Sequence, residues 1–410
     1  MYEMNKYLNK IGFFSLILFF TMVSIHFWTI EKISYFYKEI FAFIFLLLTV
    51  PFLRQKKSFH LKSELWFYLL FIIFVLLSSL LIESRILYPG SAINSPKDYD
   101  VNGNIYVIRN VLIYLPMLIY IYKRRLTFKE ITFLLKVISV FGFISIIVYL
   151  SFYNISTDLE SALKLFTLGG YFMSYNTFIP YLTFPFISAI YLALTQDSRK
   201  NKIFYFIIAF LIFSYIVIST SRQSIIFCIV ALLIYLSFNR KIFKKVSITI
   251  IFTLILSSLI LPDFLSDIEV SEKLISKTTS IDGLTNDETN RFETAKEGLY
   301  KLYFFEYLVG AGVSSVVISG PHNDFIRWIQ RVGIIGASLG FMPFIISFIG
   351  SFKLMRKKYS IFHVFIFLSI FYTLYISFFG YPRDDAFQAA YVWLGLSLWL
   401  VADKPKVNMK

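Results

Sequence analysis

Apolar runs long enough to cross a lipid bilayer recur along almost the whole sequence of 410 residues. A helix needs roughly 20 residues to span about 30 Å of hydrocarbon, and a lone extended segment cannot cross because its backbone polar groups would lack partners. Hydrophobic residues make up 57% of the chain and aromatic residues 20%, more than a soluble domain needs to fill its core. The sequence therefore predicts an all-α integral membrane protein.

About twelve of these runs qualify as transmembrane helices. The predicted spans are 11–30, 34–53, 65–82, 105–122, 131–152, 173–194, 203–220, 224–238, 246–262, 332–352, 361–380 and 386–402. The turn at 221–223, between the seventh and eighth spans, is so short that these two must form an antiparallel hairpin. We see no internal repeat and no low-complexity linker, so we predict one polytopic membrane domain over residues 1–410.

Lysines and arginines in the short connections set the orientation, because these residues stay on the cytoplasmic side. They fall in every second connection and at both ends of the chain: Lys6, Lys10, Arg54, Lys56, Lys57, Lys62, Lys123, Arg124, Arg125, Lys129, Arg199, Lys200, Lys202, Arg240, Lys241, Lys244, Lys245, Lys353, Arg356, Lys357, Lys358, Lys404, Lys406 and Lys410. Both termini are therefore predicted to be cytoplasmic. The net charge of +15 follows from this topology, and no nucleic-acid partner is expected.

The longest outward connection, 263–331 between the ninth and tenth spans, is the one large polar segment, and loops of this length usually carry function. Within it, 288–308 has the pattern of an amphipathic helix that lies along the outer membrane surface. Its apolar positions at helical spacing are Phe292, Ala295, Leu299, Leu302 and Tyr303. Two further outward loops, about 83–104 and 153–172, are long enough to cover a site.

Arginines on the outward side are exceptions to the charge rule and invite a functional explanation. Each one alone is also explained by snorkelling to the interface or by a carboxylate partner. As a group they favour a phosphate or pyrophosphate ligand, because the guanidinium fork fits phosphate oxygens. The outward arginines are Arg109, Arg222, Arg291, Arg327, Arg331 and Arg383.

His322 is the histidine with a distinctive setting, since it follows the flexible glycines Gly310 and Gly312 on the outward side, shortly before the tenth span. An imidazole with a pKa near 6.5 can act as a general base, and the alternative is a histidine that braces the loop. The other histidines have no partner at metal spacing, and Cys228 is the single cysteine. No metal site and no cofactor are therefore predicted.

An ordered set of motifs resembles the bacterial O-antigen polymerase and O-antigen ligase superfamily. The motifs are Thr220-Ser221-Arg222 opening a span, Asn290-Arg291-Phe292 in the long loop, Gly310-x-Gly312, Pro321-His322-Asn323, and then Gly333 and Gly336. The specific match covers about residues 215–340. The rest of the chain agrees with the family in hydropathy, in helix number and in the position of the largest loop.

The resemblance implies a metal-independent, inverting glycosyltransferase of the GT-C-like membrane class, which acts on a polyprenyl-pyrophosphate-linked oligosaccharide outside the bacterial cytoplasmic membrane. It implies that Arg222 and Arg291 hold the pyrophosphate and that His322 deprotonates the attacking sugar hydroxyl. A chain-length regulator is a further candidate partner. The candidate substrate-binding residues are Asn323 from the motif and, from the charge argument alone, Arg109, Arg327 and Arg383.

Three alternatives remain at this point. A polymerase and a ligase of the superfamily differ in acceptor, and we favour the polymerase because polymerases are common, divergent and sparse in motifs. A polysaccharide flippase or secondary transporter has a similar helix number, but its ionisable residues usually lie at the midplane, whereas here they cluster outward. It would also show two related halves. A purely structural membrane scaffold is the last alternative.

Overall fold

The structure is a computed structural model that describes part of the chain. The described residues are 2–25, 31–53, 62–85, 108–124, 126–152, 165–168, 171–218, 221–238, 299–300, 302–312, 323–358, 360–378 and 388–402. Within these ranges the chain is almost entirely α-helical, as the all-α prediction requires. The predicted ninth span, 246–262, lies outside them.

Twelve helices of six or more residues lie within the described ranges. They are α1 (Tyr2–Ile25), α2 (Glu31–Leu53), α3 (Ser63–Arg85), α4 (Leu115–Arg124), α5 (Phe128–Phe152), α6 (Tyr175–Thr195), α7 (Arg199–Ile218), α8 (Arg222–Phe238), α9 (Phe304–Val309), α10 (Asp324–Lys358), α11 (Ile361–Ser377) and α12 (Gln388–Ala402). A short antiparallel hairpin of β1 (Leu165–Leu168) and β2 (Tyr171–Ser174) directly precedes α6.

Length and composition mark several of these helices as membrane-spanning. Within the described residues, three segments are long and apolar enough to cross a bilayer: Phe128–Ile147, Arg199–Val217 and Asp324–Lys358. Six shorter helical segments, in α1, α3, α6, α8, α11 and α12, are also apolar. The chain therefore has the helices of a membrane protein.

The fourth predicted span, 105–122, is not one continuous helix. Residues 108–112 are helical, Ile113 and Tyr114 form a turn, and α4 begins at Leu115. Pro116 explains the interruption, because proline has no backbone N–H and its ring clashes with the carbonyl four residues earlier. The turn still keeps helical hydrogen bonds on both sides, from Ile113 N to the Arg109 carbonyl at 2.9 Å and from Leu118 N to the Tyr114 carbonyl at 3.0 Å.

The outward segment before the tenth span is more broken than the sequence predicted. The prediction of a continuous helix over 288–308 is wrong near its C-terminal end. Leu302 and Tyr303 are not helical there, and the separate helix α9 begins at Phe304. Residues 288–298 lie outside the described part of the chain. Helix α10 begins eight residues before the predicted span and is interrupted at Gly333, whose φ of 68° and ψ of 178° are not helical.

Helix α6 lies at the centre of the packed structure. It contacts α5, α7, α8, α11 and α12, and every residue from 179 to 193 is buried. Aromatic rings fill the space around it: Phe184 stacks on Tyr391 of α12 at 4.7 Å between ring centroids. Two prolines interrupt its hydrogen bonds, and the hydroxyl of Tyr372 on α11 donates to the Pro180 carbonyl at 2.9 Å.

The helix ends sort onto two sides of the structure. On one side, Trp399 at the end of α12 donates to Glu64 at the start of α3 (2.8 Å), and Arg124 at the end of α4 donates to Asn9 near the start of α1 (3.2 Å). On the other, Ser78 near the end of α3 donates to the Arg331 carbonyl (3.1 Å). Each of these contacts joins two helix ends that the predicted topology places on the same side of the membrane. Which side faces the cytoplasm stays a prediction.

Replacing Gly333 by alanine is expected to destabilise the protein. The positive φ disfavours any L side chain, and a Cβ there would overlap the Leu308 carbonyl. We expect a loss of about 1–3 kcal/mol from backbone strain alone. The measurement is the midpoint temperature of thermal unfolding in detergent, monitored as the loss of the monodisperse peak in size-exclusion chromatography. The control is Ile334→Ala at the exposed neighbouring position, and equal midpoints for the two variants would contradict the strain argument.

The orientation can be tested by labelling single cysteines. Cys228 is the single cysteine of the chain and is fully buried, so the variant Cys228→Ser provides a background without a native thiol. In this background Phe378→Cys, 56% exposed in the native residue, should react with a membrane-impermeant maleimide on intact cells. Lys357→Cys, exposed at the end of α10, should react only after the cells are permeabilised. The opposite pattern would reverse the predicted topology, and labelling of both from outside would exclude it.

Candidate functional site

The structure describes the side chains of three of the seven candidate site residues: Arg109, Asn323 and Arg327. Helix α8 begins at Arg222, but the side chain of Arg222 lies outside the described part of the structure. The candidates His322, Arg291 and Arg383 also lie outside it. The site is therefore built from the described residues that adjoin them.

Arg109 forms an ion pair with Glu39 of α2. The two side chains are 26% and 37% exposed, so the pair lies at a partly open position. This is the carboxylate partner that the alternative explanation of an outward arginine expects. The neighbouring Lys38 does not reach solvent, because it is 5% exposed among the residues that line a small cavity between α1, α2 and α4. Arg109 thus has a structural role whether or not it meets a substrate.

Asn323 caps α10 and connects it to α11. Its side-chain oxygen accepts a hydrogen bond from the Ile326 N–H at 3.2 Å, and its side-chain nitrogen donates to the Phe378 carbonyl at 3.3 Å. Asparagine is a favoured residue at this position because it satisfies a free N–H of the first helical turn. The ring of Phe325 packs against that of Phe378 at 4.7 Å between centroids. The residue next to His322 is therefore fixed to the end of α11.

The start of α8 reaches the same end of α11. The Tyr375 hydroxyl donates to the Gln223 carbonyl at 2.9 Å. Just before the helix, the Ser221 hydroxyl lies 3.1 Å from that of Ser224 and the Ser221 carbonyl accepts from Ile225 N at 3.0 Å. Phe227, one turn further along, packs on Phe371, Tyr372 and Tyr375 of α11.

Two positions of the sequence motif are thus each bound to the last turns of α11. Gln223 directly follows Arg222, Asn323 directly follows His322, and their partners Tyr375 and Phe378 are three residues apart on α11. The contacts bridge 152 and 55 residues of sequence. The N-termini of α8 and α10 are the positive ends of helix dipoles, whereas the C-terminus of α11 is a negative end and the first turn of α10 contains the buried, acidic Asp324. The start of α8 is therefore the positive helix end that can attract an anion, and this helix begins at Arg222.

Buried polar residues continue along the first turns of α10. Asp324 and Gln330 are fully buried and Arg331 is 4% exposed, with its guanidinium carbon 5.3 Å from the centre of the Trp328 ring. Arg327 is half-buried in the same part of α10, before the break at Gly333. The sequence pattern singles out Arg331 only as one of several outward arginines, and it does not single out Asp324 or Gln330. Their position just after the His322-Asn323 pair was the available signal.

A short segment, 310–312, binds the part of α10 that ends at the break at Gly333. Ala311 N donates to the Gln330 carbonyl at 2.7 Å, and Gly312 N donates to the Arg331 carbonyl at 3.0 Å. A Cβ on Gly310 would overlap the Arg331 carbonyl, so glycine is required for this close approach. The glycines of the predicted Gly310-x-Gly312 motif therefore serve to join the segment to the break in α10.

Comparison with known proteins adds no further assignment to this geometry. The chain matches no protein-family model, and a search of the curated proteins finds no match.

Proposed function

We propose that this chain is an O-antigen or capsular polysaccharide polymerase. It transfers a polyprenyl-pyrophosphate-linked glycan to a sugar hydroxyl of another lipid-linked repeat unit, on the outer side of a bacterial cytoplasmic membrane. The proposal includes about twelve spans with a GT-C-like arrangement and both termini in the cytoplasm. The observation that carries it is that the starts of α8 and α10 both bind the last turns of α11, through Tyr375–Gln223 and Asn323–Phe378.

The geometry supports this function because the reaction needs a base and cations within one site. The motif residues Arg222 and His322 are far apart in sequence, yet each adjoins a residue bound to the last turns of α11. The positive helix end at the start of α8 adds to the attraction for a pyrophosphate. The membrane class supports a lipid-linked substrate, because such a donor reaches its enzyme within the bilayer.

In the proposed step, His322 takes the proton of the acceptor hydroxyl as its oxygen attacks the anomeric carbon of the donor sugar. The new glycosidic C–O bond forms while the bond from the anomeric carbon to the pyrophosphate oxygen breaks, with inversion. The electron pair of the broken bond leaves with the lipid pyrophosphate. Arg222 and Arg291 stabilise the charge that develops on it. No metal or cofactor enters this step.

Three variants test the proposed site: His322→Ala, Arg222→Ala and Arg291→Ala. Removal of a general base or of a charge-stabilising group costs roughly 100-fold or more in rate. In a host that lacks the gene, the wild-type chain should restore a ladder of surface glycans, whereas each variant should leave a single capped repeat. The measurement is gel separation of surface glycans, with membrane expression confirmed for each variant.

The matched control is Arg356→Ala, which removes an exposed arginine from the opposite end of α10 and should retain the ladder. Full-length polymer that accumulates on the lipid carrier would indicate a ligase. Repeat units trapped on the cytoplasmic leaflet would indicate a flippase. An unchanged ladder in all three site variants would exclude the proposed site.

Asn323 is expected to act as a positioning residue. Asn323→Asp keeps the oxygen that caps α10 but loses the donor to the Phe378 carbonyl, so the helix should form while its link to α11 weakens. We expect near-normal expression and shorter polymer. Asn323→Ala loses both bonds, and the lost cap adds about 0.5–2 kcal/mol of destabilisation. The readout is the modal polymer length at matched protein level, and a normal length in the aspartate variant would limit Asn323 to a capping role.

A further inference from the structure

An exposed set of aromatic side chains surrounds α9, outside the long apolar helices. Tyr300 is 74% exposed, Tyr303 52%, Phe304 83% and Phe305 65%. We call these four residues the α9 aromatic set. Single exposed apolar residues are normal on any protein, but a cluster of this kind marks an interaction surface. Four such exposed rings within six residues therefore favour an interaction surface at α9.

The local structure forces these rings outward. Leu302 is 6% exposed and turns into the protein, and the backbone at Tyr303 is extended. The Glu306 carboxylate is also buried and accepts a hydrogen bond from Tyr303 N at 3.1 Å, which closes the first turn of α9. Because Leu302 and Glu306 occupy the inner face, the rings of Phe304 and Phe305 are left on the outer face.

The depth of α9 relative to a bilayer follows from its contact with the break in α10. The 310–312 segment after α9 binds the carbonyls of Gln330 and Arg331, and the Leu308 carbonyl lies where a Cβ of Gly333 would be. Helix α9 and the break are therefore at one level.

The length of α10 after its break gives the distance from the break to the opposite boundary of the hydrocarbon. The stretch from Ile334 to Phe352 rises about 28 Å at 1.5 Å per residue, close to the roughly 30 Å of hydrocarbon. Beyond it come the exposed basic residues Lys353, Arg356, Lys357 and Lys358. If these basic residues mark one boundary of the hydrocarbon, Gly333 lies at the opposite boundary, and α9 lies there with it.

The lipid-facing surface of the helices begins at this same level. Ile334 and Ile335, directly after the break, are 48% and 45% exposed. On the neighbouring helix α3, Leu77 is 53% exposed and lies one residue from Ser78, which binds the Arg331 carbonyl. Aromatic side chains are the type enriched at the boundary between hydrocarbon and water.

We propose that α9 is an interfacial membrane anchor, whose occupant is the lipid surface at this end of the spanning helices. Phe304 and Phe305 insert at the boundary of headgroups and acyl chains, and Tyr300 and Tyr303 lie at headgroup level. The anchor has a structural consequence. It holds the 310–312 segment against the Gln330 and Arg331 carbonyls, so the bilayer surface helps to fix the first turns of α10.

Spin labels at single cysteines test the anchor in lipid vesicles. The background is Cys228→Ser, and the labels are placed in turn at Phe304 and Phe305, where high exposure means that little packing is lost. Ile334 serves as the lipid reference. Asp197, exposed between α6 and α7, serves as the aqueous reference. The measured quantity is the ratio of collisions with oxygen, which concentrates in lipid, to collisions with a water-soluble nickel chelate.

At Phe304 and Phe305 the ratio should lie several-fold above that of Asp197 and approach that of Ile334. A ratio equal to that of Asp197 would place the rings in water and overturn the proposal. Low collision rates with both reagents would also overturn it, because the rings would then be covered by protein. The test needs no enzymatic activity, so it stands apart from the proposed function.

Discussion

The need to pair every backbone polar group determines how α10 is built around its break at Gly333. Where lipid replaces water, an interrupted helix must find its hydrogen-bond partners within the protein. The interruption at Gly333 meets this need with Ala311 N and Gly312 N as donors to the Gln330 and Arg331 carbonyls, and with the hydroxyl of Ser78 as a second donor to Arg331. The segment after α9, the end of α3 and the start of α10 are consequently fixed to one another.

Tyrosine hydroxyls extend the same principle into the helix core. Tyr372 donates to the Pro180 carbonyl, and Tyr235 of α8 donates to the Ile187 carbonyl at 3.1 Å, so both α11 and α8 are bound to α6. Apolar packing between helices has little driving force in lipid, and such hydrogen bonds between helices add both stability and register. The last turns of α11 thereby become a fixed platform for the starts of α8 and α10, where the proposed site lies.

The proposed site and the proposed anchor meet in the first turns of α10. At the start of α10, Asn323 links the motif to α11. Just before the break at Gly333, the 310–312 segment and α9 hold Arg331 in place. A polymerase whose donor and acceptor are both carried on lipid gains from such an arrangement, because the membrane surface that presents the substrates also positions one of the helices that receive them.

Local patterns in the sequence were sufficient to predict the membrane class and the approximate bounds of most described helices, because a bilayer demands a run of about 20 apolar residues whatever the neighbours are. They also predicted which helix ends share a side, since basic residues mark one side of the membrane. The interruption of the fourth span also has a local cause, Pro116, but the mean hydropathy of that segment does not reveal it.

Only the tertiary structure decided the contacts that matter for the site. Arg109 pairs with Glu39, which lies on another helix, and nothing in either local sequence selects that partner. Asn323 and Phe378, and likewise Gln223 and Tyr375, meet because three separate helices pack together. The sequence by itself determined that these helices exist and roughly where they begin. The packing of α8, α10 and α11 decided which of their ends meet, because side-chain and carbonyl partners far apart in sequence are chosen by shape and hydrogen bonding.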